Sequence, residues 1–258
     1  KKLFDPQERV PMGKKPEEIV CVSVMPCTAK KFECARPEMA DSGVQDVDIV
    51  LTTREFGRMI KESGLDFDAL PETPMDAPFG LNSSGAADIF ANTGGVMEAA
   101  LRTAYEIVTG KELPFEKLRV EPIAGLEGVK EASVEITEAT PDWEFLKGAT
   151  LRVAVAHGLA NARSIIERVN RGEAEYHFVE VMTCPGGCIG GGGQPRLTTD
   201  DIRKARIAAI CKEDEGKRIR KSHENPEVTQ LYKEFLSDGP CGKKSHHLLH
   251  THYAAREA

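Results

Sequence analysis

The sequence predicts an α/β fold with two lobes, in which largely parallel sheets flanked by helices are followed by a helical or extended C-terminal tail. Apolar runs of strand length alternate with helical segments of about 10–15 residues, the pattern of βαβ units. The chain has 258 residues, and that length is enough for one large core or for two lobes of roughly 100–150 residues each. From Thr198 onward the pattern is helical and charged, without a strand signal.

The order of elements follows from local patterns. The first predicted strand, Ile19–Met25, is a β-branched run between two prolines, and we expect it to be buried. Thr52 can cap a helix predicted over 53–63, and Gly64 ends that helix. The other predicted strands are 47–51, 118–123, 132–136, 151–156 and 176–182, and the other predicted helices are 96–108, 159–171, 199–212 and 225–235.

Composition excludes several classes of protein. Apolar side chains make up 40% of the chain and charged ones 29%, which argues against global disorder. The net charge is −7, and this acidic balance argues against a nucleic-acid partner, which requires clustered lysine and arginine. No run of about 18 apolar residues occurs, so the sequence predicts no membrane span.

The cysteines point to a reducing compartment. There are seven, an odd number and too few for a disulfide-stapled secreted domain. We therefore expect a cytoplasmic location, with the periplasm as the alternative if the chain is exported with a partner subunit. Cys21 and Cys211 end or interrupt apolar runs and are expected to be core residues.

The first candidate site is the sequence MPCTAKKFE at residues 25–33. Cys27 comes just after a predicted strand, and open α/β sheets bind ligands at the carboxyl ends of their strands. Lys30 can return to the same place if the turn is helical, and a nearby cation lowers the pKa of a thiol. One buried thiol with two surface lysines explains the segment equally well, so both interpretations stay open.

The second candidate site is CPGGCIGGGGQP at residues 184–195, where six of the eight residues from 186 to 193 are glycine. Core packing does not explain so many glycines, because glycine has the largest backbone entropy cost on folding. A phosphate-binding loop would end in Gly-Lys-Ser/Thr, which is absent here. A redox disulfide would have two residues between its cysteines, whereas this segment has three. A zinc site would need a second pair of ligands. An iron–sulfur cluster held by thiolates fits best, with Cys27 as the natural third ligand.

Both cysteine motifs resemble signature motifs of one family, the iron-only (diiron) hydrogenases. The two are MPCTAKKFE and MTCPGGCIGGGGQP, the latter at 182–195. The stretches SGA at 84–86 and TGGVMEA at 93–99 are similar to that family's catalytic domain, and HHLLHTHY at 246–253 is similar to its small subunit. The resemblance implies a large-subunit-like catalytic domain over 1–197 and a small-subunit-like helical tail over 198–258.

The resemblance also implies a cofactor. Cys27, Cys184 and Cys188 would ligate a 4Fe–4S cubane, and Cys188 would bridge to a diiron unit that carries CO, cyanide and an azadithiolate. Lys30 would donate a hydrogen bond to a cyanide, and Glu33 would lie behind it or on a water route. The other implied residues are Met25, Met182 and Phe90, which line the pocket, and Pro26, Gln194 and Gly187, which lie beside it.

The implied activity is reversible hydrogen oxidation and proton reduction, with ferredoxin or another electron-carrier subunit as partner and maturation proteins that deliver the diiron unit. Two alternatives stay open: an iron–sulfur assembly homologue and a sensory hydrogenase-like module without turnover. The clustered histidines of the tail, His246, His247, His250 and His252, are interpreted as a packed segment, with metal binding as the less favoured alternative.

The chain also departs from the family pattern. The third signature motif, Thr-Ser-Cys-Cys-Pro-X-Trp, should precede Met25, and nothing from Lys1 to Val24 resembles it. In the family that motif supplies the fourth cubane ligand and a proton-exchanging cysteine. We therefore expect the chain to be an N-terminally incomplete catalytic domain that is inactive alone.

Overall fold

A computed structural model describes residues 15–40, 43–73, 82–236 and 238–255. Residues 1–14 lie outside the described residues, and they form part of the region before Met25 in which the third cysteine motif is expected. The chain divides into two compact units: the first contains 1–76, 192–196 and 229–258, and the second contains 77–191 and 197–228. These units are defined by compactness, whereas the family resemblance implies a division of the sequence after residue 197, and that division stays a prediction.

The first unit contains a parallel pair of strands. Strand β1 (Val22–Met25) pairs with β2 (Ile49–Thr52). Helix α1 (Lys30–Cys34) follows the first strand, and α2 (Thr53–Glu62) follows the second. Thr52 caps α2 as predicted: its hydroxyl accepts the Glu55 N–H at 3.2 Å, and the Glu55 carboxylate accepts the Thr52 N–H at 2.8 Å.

The second unit contains a three-stranded sheet in the order β3 (Val129–Glu135), β4 (Thr150–His157) and β5 (Phe178–Met182). The outer strand β5 is parallel to β4 and is connected to it by α5 (Leu159–Asn170), which is the predicted βαβ unit. Strand β3 is antiparallel to β4, because no α-helical crossover connects the two. The predicted α/β class, with helices flanking largely parallel strand pairs, is confirmed.

The remaining helices are α3 (Gly85–Asp88), α4 (Gly95–Thr109), α6 (Asp200–Gly216), α7 (Pro226–Glu234) and α8 (Lys243–Leu249). Helices α3, α4 and α6 belong to the second unit and α8 to the first, while α7 crosses between units after residue 228. Short 3₁₀ helices cover Pro16–Glu18, Phe67–Ala69, Ile89–Ala91, Glu116–Leu118, Glu121–Ile123, Pro141–Leu146, Cys188–Gly190 and Ser222–Glu224.

One core of the second unit lies between α4 and the sheet. Helix α4 contributes Met97 and Leu101, and the strands contribute Val153 and Val155. Further buried members are Tyr105, Leu113, Leu118, Val120, Ile123, Ala132 and Val134. Gly110 takes a left-handed conformation at φ 70° and ends α4, close to the end of the helix predicted over 96–108.

The strand predicted over 118–123 is wrong. Two 3₁₀ turns occupy this stretch, because Pro122 has no N–H for a sheet ladder and Leu118 has a positive φ of 58°. The apolar residues are nevertheless buried: Val120 is 0% exposed and Ile123 1%. The hydrophobic pattern therefore identified a core segment but not its backbone conformation.

The expectation that the first strand is buried is also wrong. Val22 and Val24 are 51% and 44% exposed, since β1 belongs to a sheet of only two strands among the described residues. Cys21 and Cys211, both expected in the core, are partly exposed. Their neighbouring apolar residues made each stretch look more buried than it is.

A buried ionic network stabilises the second unit. Arg102 on α4 has a fully buried side chain, and its guanidinium donates to both carboxylate oxygens of Asp214 on α6 at 2.8 Å. It also donates to Glu98 at 2.7 Å, and Arg220 donates to Asp214 at 2.6 Å. Removing one member would leave a buried charge uncompensated.

We predict that Asp214→Asn lowers the free energy of unfolding by about 3–5 kcal/mol, because it removes one charge from this network. Urea denaturation of the apo-protein measures the loss. The matched control is Asp200→Asn in the same helix: Asp200 is 72% exposed and pairs with Arg203, so the change should cost about 0–1 kcal/mol. Equal losses in the two variants would contradict the prediction.

Candidate metal centre

Cys184 and Cys188 lie in a tight loop of the second unit. Strand β5 ends at Met182, and Cys184 follows two residues later, at the carboxyl end of a strand parallel to β4, as the sequence predicted. The Gly187 N–H donates to the Cys184 carbonyl, and the Gly191 N–H to the Cys188 carbonyl, both at 2.9 Å. Each bond closes a tight turn, and the two turns begin at the two cysteines.

Gly187 is required at its position by conformation and by space. Its φ is 88°, in the region that favours glycine. A Cβ there would lie 2.6 Å from the Met182 sulfur and 2.7 Å from the Thr93 backbone nitrogen. The structure thus brings together two of the predicted site residues, Gly187 and Met182.

Two other segments of the same unit hold this loop. The Thr93 N–H donates to the Gly186 carbonyl at 3.0 Å. From α6, the Arg206 guanidinium donates to the Ile189 carbonyl at 2.7 Å. The loop is therefore fixed from both sides by hydrogen bonds to its backbone.

Behind the loop lie two buried charged residues that the sequence analysis did not identify. Glu180 on β5 accepts the N–H groups of Gly94 at 2.6 Å and of Met97 at 2.8 Å. Lys130 on β3 donates to the Gly125 carbonyl at 3.0 Å and to Thr93 at 3.4 Å. Burial lowers the pKa of Lys130 to about 8, against the opposing effect of Glu180 and Glu127. The sequence offered one signal for this site, because Glu180 interrupts the otherwise apolar strand that precedes Cys184.

The first unit contains the other predicted cysteine. Cys27 follows the end of β1 by two residues and is partly exposed. Lys30 is the first residue of α1, and its ammonium pairs with the Glu33 carboxylate at 2.7 Å. The segment after Cys27 is therefore helical, which was the condition for Lys30 to return towards the cysteine.

The same unit places the predicted residues Pro26 and Gln194 at one edge of its sheet. The Gly193 N–H donates to the Pro26 carbonyl at 2.9 Å, and Arg54 donates to the Gln194 carbonyl at 3.1 Å. A Cβ on Gly193 would lie 2.7 Å from the Thr52 Cβ, so the backbone passes directly against the strand end.

Other predicted residues give less information. Met25 ends β1 and is partly buried. Phe90, predicted as an apolar wall, lies in a 3₁₀ turn and is 48% exposed, so that role stays a prediction. Two rings of the histidine tail, His246 and His250, stack with centroids 4.9 Å apart.

The donor chemistry suits an iron–sulfur cluster. None of the seven cysteines, all of which lie in the described residues, forms a disulfide. Two of them, Cys184 and Cys188, lie four residues apart in one loop, and thiolates are the usual ligands of such clusters. Among the described residues, no set of three or more His, Cys, Asp and Glu side chains is already arranged around one point as metal ligands. Every described helix is too short or too polar to traverse a lipid bilayer.

These features define an α/β protein with a cysteine-bracketed glycine loop of the kind that holds iron–sulfur clusters. The chain belongs to the iron-only hydrogenase family. Residues 1–192 match the family model described as the C-terminal domain of the iron-only hydrogenase large subunit, and residues 200–256 match the one described as the iron hydrogenase small subunit.

The chain is similar to individual hydrogenases and also to an iron–sulfur assembly component. The NADP-reducing hydrogenase subunit HndD of Solidesulfovibrio fructosivorans is 50% identical over 242 residues, which cover 93% of this chain and 39% of that protein. The hydrogenase HydA1 of Chlamydomonas reinhardtii has a solved apo structure that superposes with a TM-score of 0.77 at 43% identity, covering 93% of this chain and 64% of that one. Cytosolic iron-sulfur assembly component 3 of Rattus norvegicus is 31% identical over 252 residues, 94% of this chain and 49% of that protein. The chain thus spans between about two fifths and half of the length of these curated relatives.

We predict that Gly187→Ala destabilises the protein more than Gly172→Ala, measured as the free energy of unfolding of the apo-protein. Both glycines have positive φ, 70° at Gly172 and 88° at Gly187, and at Gly187 a ψ of −154° places the backbone in a region that essentially only glycine adopts, so backbone strain of about 1–3 kcal/mol itself contributes to the larger loss expected there. A Cβ at Gly172 meets nothing within 4 Å, whereas one at Gly187 meets Met182 and Thr93 and should add about 1–3 kcal/mol. Equal losses would mean that the space beside Gly187 is unimportant.

Proposed function

We propose that this chain forms part of the catalytic domain of an iron-only hydrogenase and carries out the reaction 2 H⁺ + 2 e⁻ ⇌ H₂. The observation that carries the proposal is the 184–188 loop, in which Cys184 follows a parallel strand and, together with Cys188, brackets a glycine turn that packs closely on Met182 and Thr93. Membership of the family over residues 1–192 supports the same conclusion.

The proposed ligands of a 4Fe–4S cubane are Cys27, Cys184 and Cys188. Thiolates are the ligands that such clusters prefer. Cys27 and Cys184 each follow the end of a parallel strand by two residues, and Cys188 begins the 3₁₀ turn of the same loop as Cys184. Cys188 is proposed to bridge to a diiron unit with CO, cyanide and azadithiolate ligands. When bound, this group would supply the redox chemistry and the hydrogen-binding position.

Lys30 is proposed to hold a cyanide ligand of that unit by a charge-assisted hydrogen bond. Its ammonium pairs with the Glu33 carboxylate at 2.7 Å on the first turn of α1. Glu33 is proposed to orient Lys30 or to carry protons through water. The proposed pocket lining comprises Met25, Met182, Phe90, Pro26, Gln194 and Gly187.

We further propose that electrons arrive from a ferredoxin or another electron-carrier subunit, and that maturation proteins deliver the diiron unit. The name of the relative HndD, an NADP-reducing hydrogenase subunit, supports a multi-subunit electron route. The cytoplasm is the proposed location, because seven cysteines outside disulfides suit a reducing compartment.

A second candidate function is iron–sulfur cluster assembly without hydrogen chemistry. The observation that favours it is the 31% identity to an assembly component over 94% of this chain. Both candidates require a cubane, so only the diiron unit separates them. A sensory hydrogenase-like module would bind the diiron unit but would not turn over.

The cubane assignment predicts that Cys27→Ala, Cys184→Ala and Cys188→Ala each lose most of the iron. Iron and sulfide are counted per chain after anaerobic reconstitution. Cys21→Ala and Cys211→Ala are the matched controls, since these cysteines are also partly exposed but are not proposed ligands. Retention of full iron content by Cys184→Ala would refute the assignment.

The diiron assignment predicts that Lys30→Ala keeps the cubane but loses the infrared bands of CO and cyanide after maturation, because the charged anchor of one cyanide is gone. Lys61→Ala, an exposed lysine on α2, serves as the control. Unchanged bands in Lys30→Ala would remove Lys30 from the site. Wild-type protein that holds a cubane but shows no such bands would favour the assembly function.

A further inference from the structure

Lys130 and Glu180 occupy matching positions on the sheet of the second unit. Lys130 lies opposite Val155, and Val155 lies opposite Glu180, so the three residues form one row across β3, β4 and β5. Residues in one row point to the same face of a sheet. Both charged residues are nevertheless buried, at 3% and 5% exposure.

The two side chains bind the same turn, Glu180 as a hydrogen-bond acceptor and Lys130 as a donor. Glu180 accepts the N–H groups of Gly94 and Met97, which are among the unsatisfied donors at the start of α4. Lys130 donates to the carbonyl and hydroxyl oxygens of Thr93, in each case at 3.4 Å. The turn at 93–94 is thereby held at its donors and at its acceptors.

This turn in turn contacts the cysteine loop. The Thr93 N–H donates to the Gly186 carbonyl at 3.0 Å, and the Thr93 nitrogen lies 2.7 Å from where a Cβ of Gly187 would be. A displacement of the turn would therefore displace the backbone between Cys184 and Cys188.

Burial of this lysine has a cost that argues against a passive role. Desolvation lowers the pKa of Lys130, which means that the fold disfavours its charged form. Lys221, the other lysine buried to a similar degree, is compensated by ion pairs with Glu106, Glu112 and Glu224. Lys130 has no such direct ion pair among the described residues, and its contacts go to the backbone and hydroxyl of the turn instead.

We propose that Lys130 and Glu180 are positioning residues that hold the 93–94 turn and, through it, the spacing of Cys184 and Cys188. The loop-positioning part stands on the contacts above, and its consequence for a cluster rests on the proposed function. Neither side chain touches the reacting atoms in this proposal.

The test uses the protein at its full natural length, in apo form, and measures the alkylation rates of individual cysteines by peptide mass spectrometry. We expect Lys130→Met and Glu180→Gln each to raise the rates at Cys184 and Cys188 by about tenfold or more, since each loses hydrogen bonds that involve a charged group. The rate at Cys34, in the first unit, should stay unchanged in both variants.

Lys221→Met is the matched control, because it makes the same change at another buried lysine of the second unit. It should destabilise the protein without selective exposure of Cys184 and Cys188. Thr93→Ala, a milder change that removes the hydroxyl acceptor and one methyl group but leaves both charged side chains in place, should raise the same two rates to a smaller extent and serves if Lys130→Met does not fold. Unchanged rates in Glu180→Gln and Thr93→Ala, or equal increases in Lys221→Met, would overturn the proposal.

A second measurement connects positioning to the cluster. After reconstitution with iron and sulfide, the reduced cubane in Lys130→Met and Glu180→Gln should show shifted EPR g-values relative to wild type, and that in Lys221→Met should not. A wild-type protein that takes up no cluster would refute the proposed function, while the alkylation rates would still decide the positioning role.

Discussion

The capping of helix α4 by the Glu180 carboxylate connects the sheet to the candidate metal centre. Glu180 lies on β5, two residues before Met182 and four before Cys184, and it binds the N–H groups of Gly94 and Met97. The strand that leads into the cysteine loop therefore also fixes the start of the helix that packs on the sheet. Because this carboxylate is buried, its hydrogen bonds cannot be replaced by water, and the helix and the loop are positioned together.

Helix α6 adds a second constraint on the same unit. Asp214 neutralises the buried Arg102 of α4, and Arg206 binds the Ile189 carbonyl within the cysteine loop. These α6 residues fall in the stretch that matches the small-subunit family model, whereas Arg102 and Ile189 fall in the large-subunit match. The division between the two matches thus does not coincide with a division between independently packed structures.

Sequence patterns predicted most elements, and they failed in two ways: at one segment the apolar residues concealed a local turn, and at one pair of residues the arrangement depends on strands that are distant in sequence. The caps at Thr52 and Gly110 and the two strand-end cysteines could be predicted because each depends on neighbouring residues. The stretch 118–123 could not, since its apolar residues fit a strand while Pro122 and the positive φ of Leu118 impose turns. Lys130 and Glu180 were missed because they are 50 residues apart in the sequence. They share a row only because β3 and β5 both pair with β4.

The family resemblance and the contacts together separate two kinds of residue. Cys184, Cys188 and the glycine turn between them belong to both candidate functions, since each proposal places an iron–sulfur cluster on this loop. Lys30 is different, because it is not a proposed ligand and its ammonium, on the first turn of α1, already pairs with Glu33. An exposed pair of that kind contributes little to stability. If the chain holds a diiron unit, a cyanide ligand of that unit would compete with Glu33 for the ammonium, so substitution of Lys30 is the change that separates the hydrogenase proposal from the assembly proposal.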